Sequence, residues 1–122
     1  MKLIAPGVHR LLDFVAVIVL AIAPLVMGLG GLGLPALLCW ALALVHLVVT
    51  LATRFPGRSG GAIAFVAHGV IELAVSIFLV ASSWLFGFAP GSPARYFFVT
   101  AGAVLFLVWI LTDYAGRGVQ RV

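Results

Sequence analysis

The stretch Ala62–Phe88, AIAFVAHGVIELAVSIFLVASSWLFGF, decides the architecture of this chain. A bilayer hydrocarbon core about 30 Å thick takes about 20 helical residues, and this run exceeds that length. It also carries His68 and Glu72 inside the apolar stretch. An ionisable side chain at such a depth costs roughly 3 kcal/mol or more unless it faces other helices, a partner or water. The helix therefore needs neighbours, and three further apolar runs supply them.

Composition agrees. The 122 residues are 65% hydrophobic and 8% charged, with a mean hydropathy of +1.32, whereas a soluble domain carries about 25% charged residues. A soluble fold is excluded, and a chain of this length makes one domain spanning residues 1–122. The fold class expected is an all-α membrane protein of four transmembrane helices. They run over about 9–27, 34–53, 62–88 and 94–114, arranged as two helical hairpins of about 9–54 and 62–114. Pro24 lies inside the first helix, where a kink rather than a break is expected. Pro35 falls in the first turn of the second, where its missing donor costs nothing. The apolar start with Ala21-Ile22-Ala23 resembles a signal peptide. Because Pro24 is an unfavourable residue after a cleavage site, the segment reads as a membrane helix.

In the second helix Ala36, Cys39, Ala43, His46, Thr50 and Thr53 share one face of small or polar side chains, the composition through which membrane helices approach closely. In the third, Ala64, His68, Glu72 and Ser76 form an i, i+4 ridge, with Ser83 near the same side. Trp84, Phe86, Phe88, Tyr96, Phe97 and Phe98 gather at one membrane boundary, and Trp109 and Tyr114 at the other. Lys2, Arg10, Arg54, Arg58, Arg117 and Arg121 flank one set of helix ends, against Arg95 alone on the other. The bias predicts both termini in the cytoplasm. The lack of Asn and the abundance of Ala, Leu, Val, Gly and Arg point to a GC-rich bacterial genome, and the expected location is then the bacterial cytoplasmic membrane. The basic residues are scattered singly, so lipid headgroups rather than nucleic acid are their expected partners.

His9 and Asp13 open the first helix at the spacing that His68 and Glu72 have in the third. The same offset pairs Ile18 with Ile77, Leu20 with Leu79 and Gly28 with Gly87. Two parallel copies of one hairpin, related by a pseudo-two-fold axis along the membrane normal, are expected. Ser82-Ser83-Trp84-Leu85-Phe86-Gly87-Phe88, with Ala23-Pro24-Leu25-Val26-Met27-Gly28 as the first-copy counterpart, resembles the SPW-repeat family of small membrane proteins. There Ser83 stands in the place of proline, and Ala23 and Leu25 flank Pro24. The resemblance implies the two-hairpin architecture and carries no activity.

If the axis brings the odd helices face to face, His9, Asp13, His68 and Glu72 converge, a ligand set that suits a divalent metal or a proton relay. The alternative keeps His9 and Asp13 solvated at the interface and Glu72 neutral or hydrogen-bonded to His68 one turn away. His46 and His68 lie roughly 12 and 9 Å from their loop ends at about 1.5 Å per residue. They are nearly level, and could clamp a haem iron. Otherwise His46 bonds Thr50 or a carbonyl in the small-residue seam, and remains a possible additional ligand. Trp84 reads as an interfacial anchor. No nucleophile–base pair or phosphate loop is present, so no enzyme activity is expected, and no cofactor is named by the sequence. The leading expectation is a structural or interaction subunit that self-associates or joins a larger membrane complex. A proton-coupled transporter or channel using Glu72, and a metal- or haem-binding membrane subunit, are the alternatives.

Overall fold

A computed structural model describes residues 2–29 and 33–115. Four helices, α1 (Pro6–Val26), α2 (Leu34–Ala52), α3 (Phe65–Leu85) and α4 (Pro93–Leu111), are each long and apolar enough to cross a membrane. The chain is thus a multi-pass, all-α membrane protein. Three of the helices carry a proline in their first turn, Pro6, Pro35 and Pro93, where the fixed φ is helical and the missing N–H would have had no partner. Pro24 stays within α1, which continues to Val26.

The bounds differ from the sequence expectation at the ends. Residues 62–64 do not belong to α3: Ala62 N–H donates to Ala52 O (2.7 Å), and Ile63–Ala64 form a short strand, β2. It pairs in parallel with β1, Thr53–Arg54. Ala64 is consequently exposed rather than part of the buried ridge. Residues 86–88 turn out of the helix, and Thr112–Tyr114 lie beyond the end of α4. Arg117 and Arg121, and Gly30, Gly31 and Leu32 of the first hairpin loop, lie outside the described residues.

A constant offset of 59 relates the two halves. Pro6 and Phe65 open α1 and α3, Val26 and Leu85 close them, Leu34 and Pro93 open α2 and α4, and Ala52 and Leu111 close those. The offset extends to the strand pairs, because the bridge Ile4–Thr112 corresponds to Ile63–Thr53. Gly28 and Gly87 follow α1 and α3 with φ of +61° and +67°, a left-handed turn that a β-carbon disfavours. The C-cap hydrogen bonds match as well: Met27 N–H to Ala23 O and Phe86 N–H to Ser82 O, both 2.9 Å.

Packing is closest within each hairpin, α1 on α2 and α3 on α4. Trp40 Nε1 donates to Ala21 O (3.0 Å) across the first. In the second, Gly102 lets the backbones approach so closely that a β-carbon there would lie 2.8 Å from Ser76 O. The small and polar face expected on α2 is the face it buries: Ala36, Cys39, Ala43, His46 and Thr50, with Thr53 beyond. Toward the hairpin turns the interior is apolar, with Leu20, Ala23, Cys39, Leu79, Phe88 and Phe98 in one cluster. Toward the other end the interior is polar.

Candidate metal centre

The polar end collects the first turns of α1 and α3 and the last turns of α2 and α4. His9, Asp13, His68 and Glu72 meet there, and no more than 2% of any of them is exposed. The solvated reading of His9 and Asp13 does not hold, because α3 and the segments after α2 and α4 cover them. His9 Nε2 lies 3.2 Å from Asp13 Oδ1, 3.1 Å from Glu72 Oε2 and 3.3 Å from His68 Nε2. His68 Nε2 lies 3.2 Å from Asp13 Oδ2. Taking one ligand atom from each residue, all four fall within 4.8 Å of one another. Glu72 is paired not with His68, its neighbour one turn away, but with His9 of the other hairpin.

Two threonines decide which nitrogens face inward. Thr112 Oγ1 donates its only proton to Val108 O (2.6 Å), so toward His9 Nδ1, at 2.8 Å, it can only accept. Thr53 does the same, donating to Val49 O (2.6 Å) and accepting from His68 Nδ1 at 2.9 Å. Each imidazole therefore carries its proton on Nδ1, on the outside, and in its neutral form turns the Nε2 lone pair toward the centre. With both rings neutral, two such lone pairs and two carboxylates make a set of acceptors with no donor among them; with a ring doubly protonated, its Nε2–H would instead donate to the carboxylates at 3.1–3.2 Å. The neutral arrangement suits a cation. Metal-ligating histidine is oriented by an acceptor on its outer nitrogen, usually a carboxylate, a backbone carbonyl or water; here a threonine hydroxyl takes that place.

Ligands about 2.0–2.2 Å from a tetrahedral zinc-like ion stand roughly 3.3–3.6 Å apart. The contacts above, which use both Asp13 oxygens, span 3.1–3.3 Å, and a set of one atom from each residue lies within 4.8 Å, so a small ion would draw its ligands inward. A doubly charged ion with two carboxylates and two neutral imidazoles is electrically neutral, which minimises the cost of charge in a low-dielectric interior.

His46 stands to one side. Its Nε2 is 3.3 Å from Asp13 Oδ1 but without hydrogen-bond alignment, and the Thr50 hydroxyl is likewise unpartnered, so the expected His46–Thr50 bond is not made. The rings of His46 and His68 are 6.4 Å apart, yet the cavity at that seam is about 10 Å³. A porphyrin has no slot there.

Sequence reasoning missed the aromatic cover. Tyr114 donates to Glu72 Oε2 (2.6 Å), and its ring packs against Phe65 (4.9 Å) and His9 (5.5 Å). Phe55, at the equivalent position of the first half, packs on Phe65 (5.1 Å) and His68 (5.6 Å). Burial, and next the Glu72 carboxylate, push the Tyr114 phenol above its ordinary value, which keeps it a donor. The signal was available: the offset that pairs the histidines also pairs Thr53 with Thr112 and Phe55 with Tyr114.

The second sequence feature lies at the far end. Pro24, Ser82 and Ser83 are buried, Ser82 Oγ donates to Leu79 O (2.7 Å), and Gly28 and Gly87 make the turns. Trp84 is 60% exposed with the Arg95 guanidinium 4.7 Å from its ring centre, as an interfacial anchor would be. Compared with protein-family models, with curated proteins and with solved structures, the chain matches none.

Proposed function

We propose that this protein is an integral membrane metal-binding protein whose centre holds one divalent first-row cation of the zinc, iron(II) or manganese(II) class. His9, His68, Asp13 and Glu72 are its ligands. Mixed imidazole and carboxylate donors select this class over magnesium or calcium, which prefer oxygen alone, and over copper(I), which prefers sulfur. The observation that carries the reading is the paired Thr–His geometry, Thr112 on His9 and Thr53 on His68, which turns both Nε2 atoms onto the two carboxylates. The protein would act as the metal-holding subunit of a membrane assembly, through self-association or a larger complex. Its site is the bacterial cytoplasmic membrane with both termini inside, in keeping with the basic residues Lys2, Arg54 and Arg58. The two-hairpin plan agrees with the SPW-repeat resemblance.

Elemental analysis of protein released in mild detergent and reconstituted with each ion tests the proposal. One equivalent per chain is expected, lost in His68→Ala and Asp13→Asn. Protein that stays metal-free under micromolar ion overturns it. If Glu72→Gln then alters proton flux in vesicles, the four residues serve a proton relay instead.

A further inference from the structure

The two seams between the hairpins are unequal. Between α1 and α4 a groove of about 260 Å³ opens, and Asp13, Glu72 and Thr100 stand among its otherwise apolar lining. Between α2 and α3 the equivalent seam keeps about 10 Å³. The helix bounds repeat, so side chains at matched positions can be compared. On the closed side Val75, Phe78 and Leu42 occupy the positions that Ala16, Val19 and Ala101 hold on the open side, and His46 stands where the open side has Leu105. These three smaller residues widen the open groove locally, against Val15, Phe97 and Thr100, which are larger than Ala74, Leu38 and Ala41 of the closed side.

The walls and the polar lining ask for different things. Ala16, Val19, Leu20, Phe97, Ala101 and Val104 offer only hydrocarbon. Glu72 is buried, and while Oε2 takes the Tyr114 hydroxyl, Oε1 has no hydrogen-bond partner. Asp13 Oδ2 makes no hydrogen bond but already faces His68 Nε2 at 3.2 Å, which leaves Glu72 Oε1 as the open acceptor. An unpaired carboxylate oxygen in dry surroundings calls for a donor. A cavity of about 150 Å³ holds benzene, so this groove has room for an aromatic ring and part of a chain.

We infer that the α1/α4 groove is a binding site for a membrane-soluble phenol or hydroquinone. Its hydroxyl donates to Glu72 Oε1, and its ring and chain lie along Ala16, Val19 and Ala101. The complementarity of a donor head to an acceptor-only carboxylate selects this ligand over a plain acyl chain. This site goes beyond the metal centre and does not require an ion to be bound.

The test uses the protein in phosphatidylcholine nanodiscs with a decyl-substituted hydroquinone as probe, its dimethyl ether as the donor-less control, and native mass spectrometry as the readout. The hydroquinone is expected to bind one per chain and at least tenfold more tightly than the ether. The triple variant Ala16→Val, Val19→Phe, Ala101→Leu, which gives the groove the larger side chains of the closed seam at those three positions, is expected to lose at least tenfold in binding while keeping its metal content. Equal affinity for the ether would make the groove a lipid-chain slot and overturn the inference, as would no binding by the unaltered protein. Unchanged binding by a folded triple variant overturns it too. Since metal content is read on the same samples, failure of the groove and failure of the metal centre are separately visible.

Discussion

Replacing Thr112 with valine keeps the volume of the side chain and removes only the hydroxyl that accepts from His9 Nδ1. Two consequences follow from the geometry. The Nδ1–H, 2.8 Å from that oxygen on a residue with no exposed surface, loses its partner, and a buried donor so stranded costs about 1–3 kcal/mol. The imidazole is also free to move its proton to Nε2, which removes a ligand from the centre. Outer partners of metal-bound histidine are typically worth about 10–100-fold in metal affinity, equivalent to about 1.4–2.7 kcal/mol. Thr112→Val is therefore expected to weaken zinc binding by about 10–100-fold. Thr53→Val should do the same through His68, where the distance is 2.9 Å. Thr50 is the internal control, since it is as buried as Thr53 and its hydroxyl bonds nothing, so Thr50→Val should leave affinity within about twofold, the scale of a few tenths of a kcal/mol. Competition against a chromogenic chelator in detergent gives the three affinities, with circular dichroism confirming the helices. If Thr112→Val and Thr50→Val bind zinc alike, the tautomer argument is wrong, and with it the case for a metal.

Other outcomes follow from single contacts. His46→Leu, which makes position 46 match Leu105 of the other half, should retain one ion per chain; loss of the ion by elemental analysis would make His46 an obligatory ligand. Gly102→Ala forces a β-carbon to within 2.8 Å of Ser76 O and 2.9 Å of Val80 N, so α3 and α4 must part. Overpacking of this kind costs about 1–3 kcal/mol, measurable as a shift in unfolding by sodium dodecyl sulfate, and an unchanged midpoint would refute the close approach. The phenol of Tyr114 holds its proton more tightly folded than unfolded. Its contribution to stability is therefore complete below the unfolded value of about 10 and declines as pH rises beyond it. Thermal midpoints of wild type and Tyr114→Phe between pH 8 and 11 should diverge in slope, and parallel curves would count against the Tyr114–Glu72 bond.

Hydropathy alone placed the four spans, because each must cross about 30 Å of hydrocarbon. Position along the helix placed the α2 face, since small and polar side chains at spacings of three and four leave one side able to pack. The four site residues could be singled out because His and acid are scarce in so apolar a chain, and their repeat at one offset linked the two halves. What periodicity could not supply was pairing between hairpins. That Glu72 meets His9 rather than His68 depends on how α1 and α3 face each other across the bundle. The helix ends were overextended because Ala62, Ile63 and Thr112 are as apolar or as neutral as the helix beside them. What takes them out of the helix is a backbone bridge to residues distant in sequence. Tyr114 looked like a membrane-boundary aromatic by composition, and only the turn after Thr112 brings its hydroxyl inward.

The bridge from Ile4 to Thr112 holds the start of the first hairpin beside the end of the second. It joins the two ends of the described polypeptide as Ile63 joins Thr53 within it, so a linker matching residues 54–62 could close the ends and new ends could be opened near Arg58. Such a circular permutant would run second hairpin first and keep every helix in place. By the same logic each hairpin brings half a centre, one histidine, one carboxylate and one threonine. A single hairpin paired with a second copy of itself would bring together the same set of residue types.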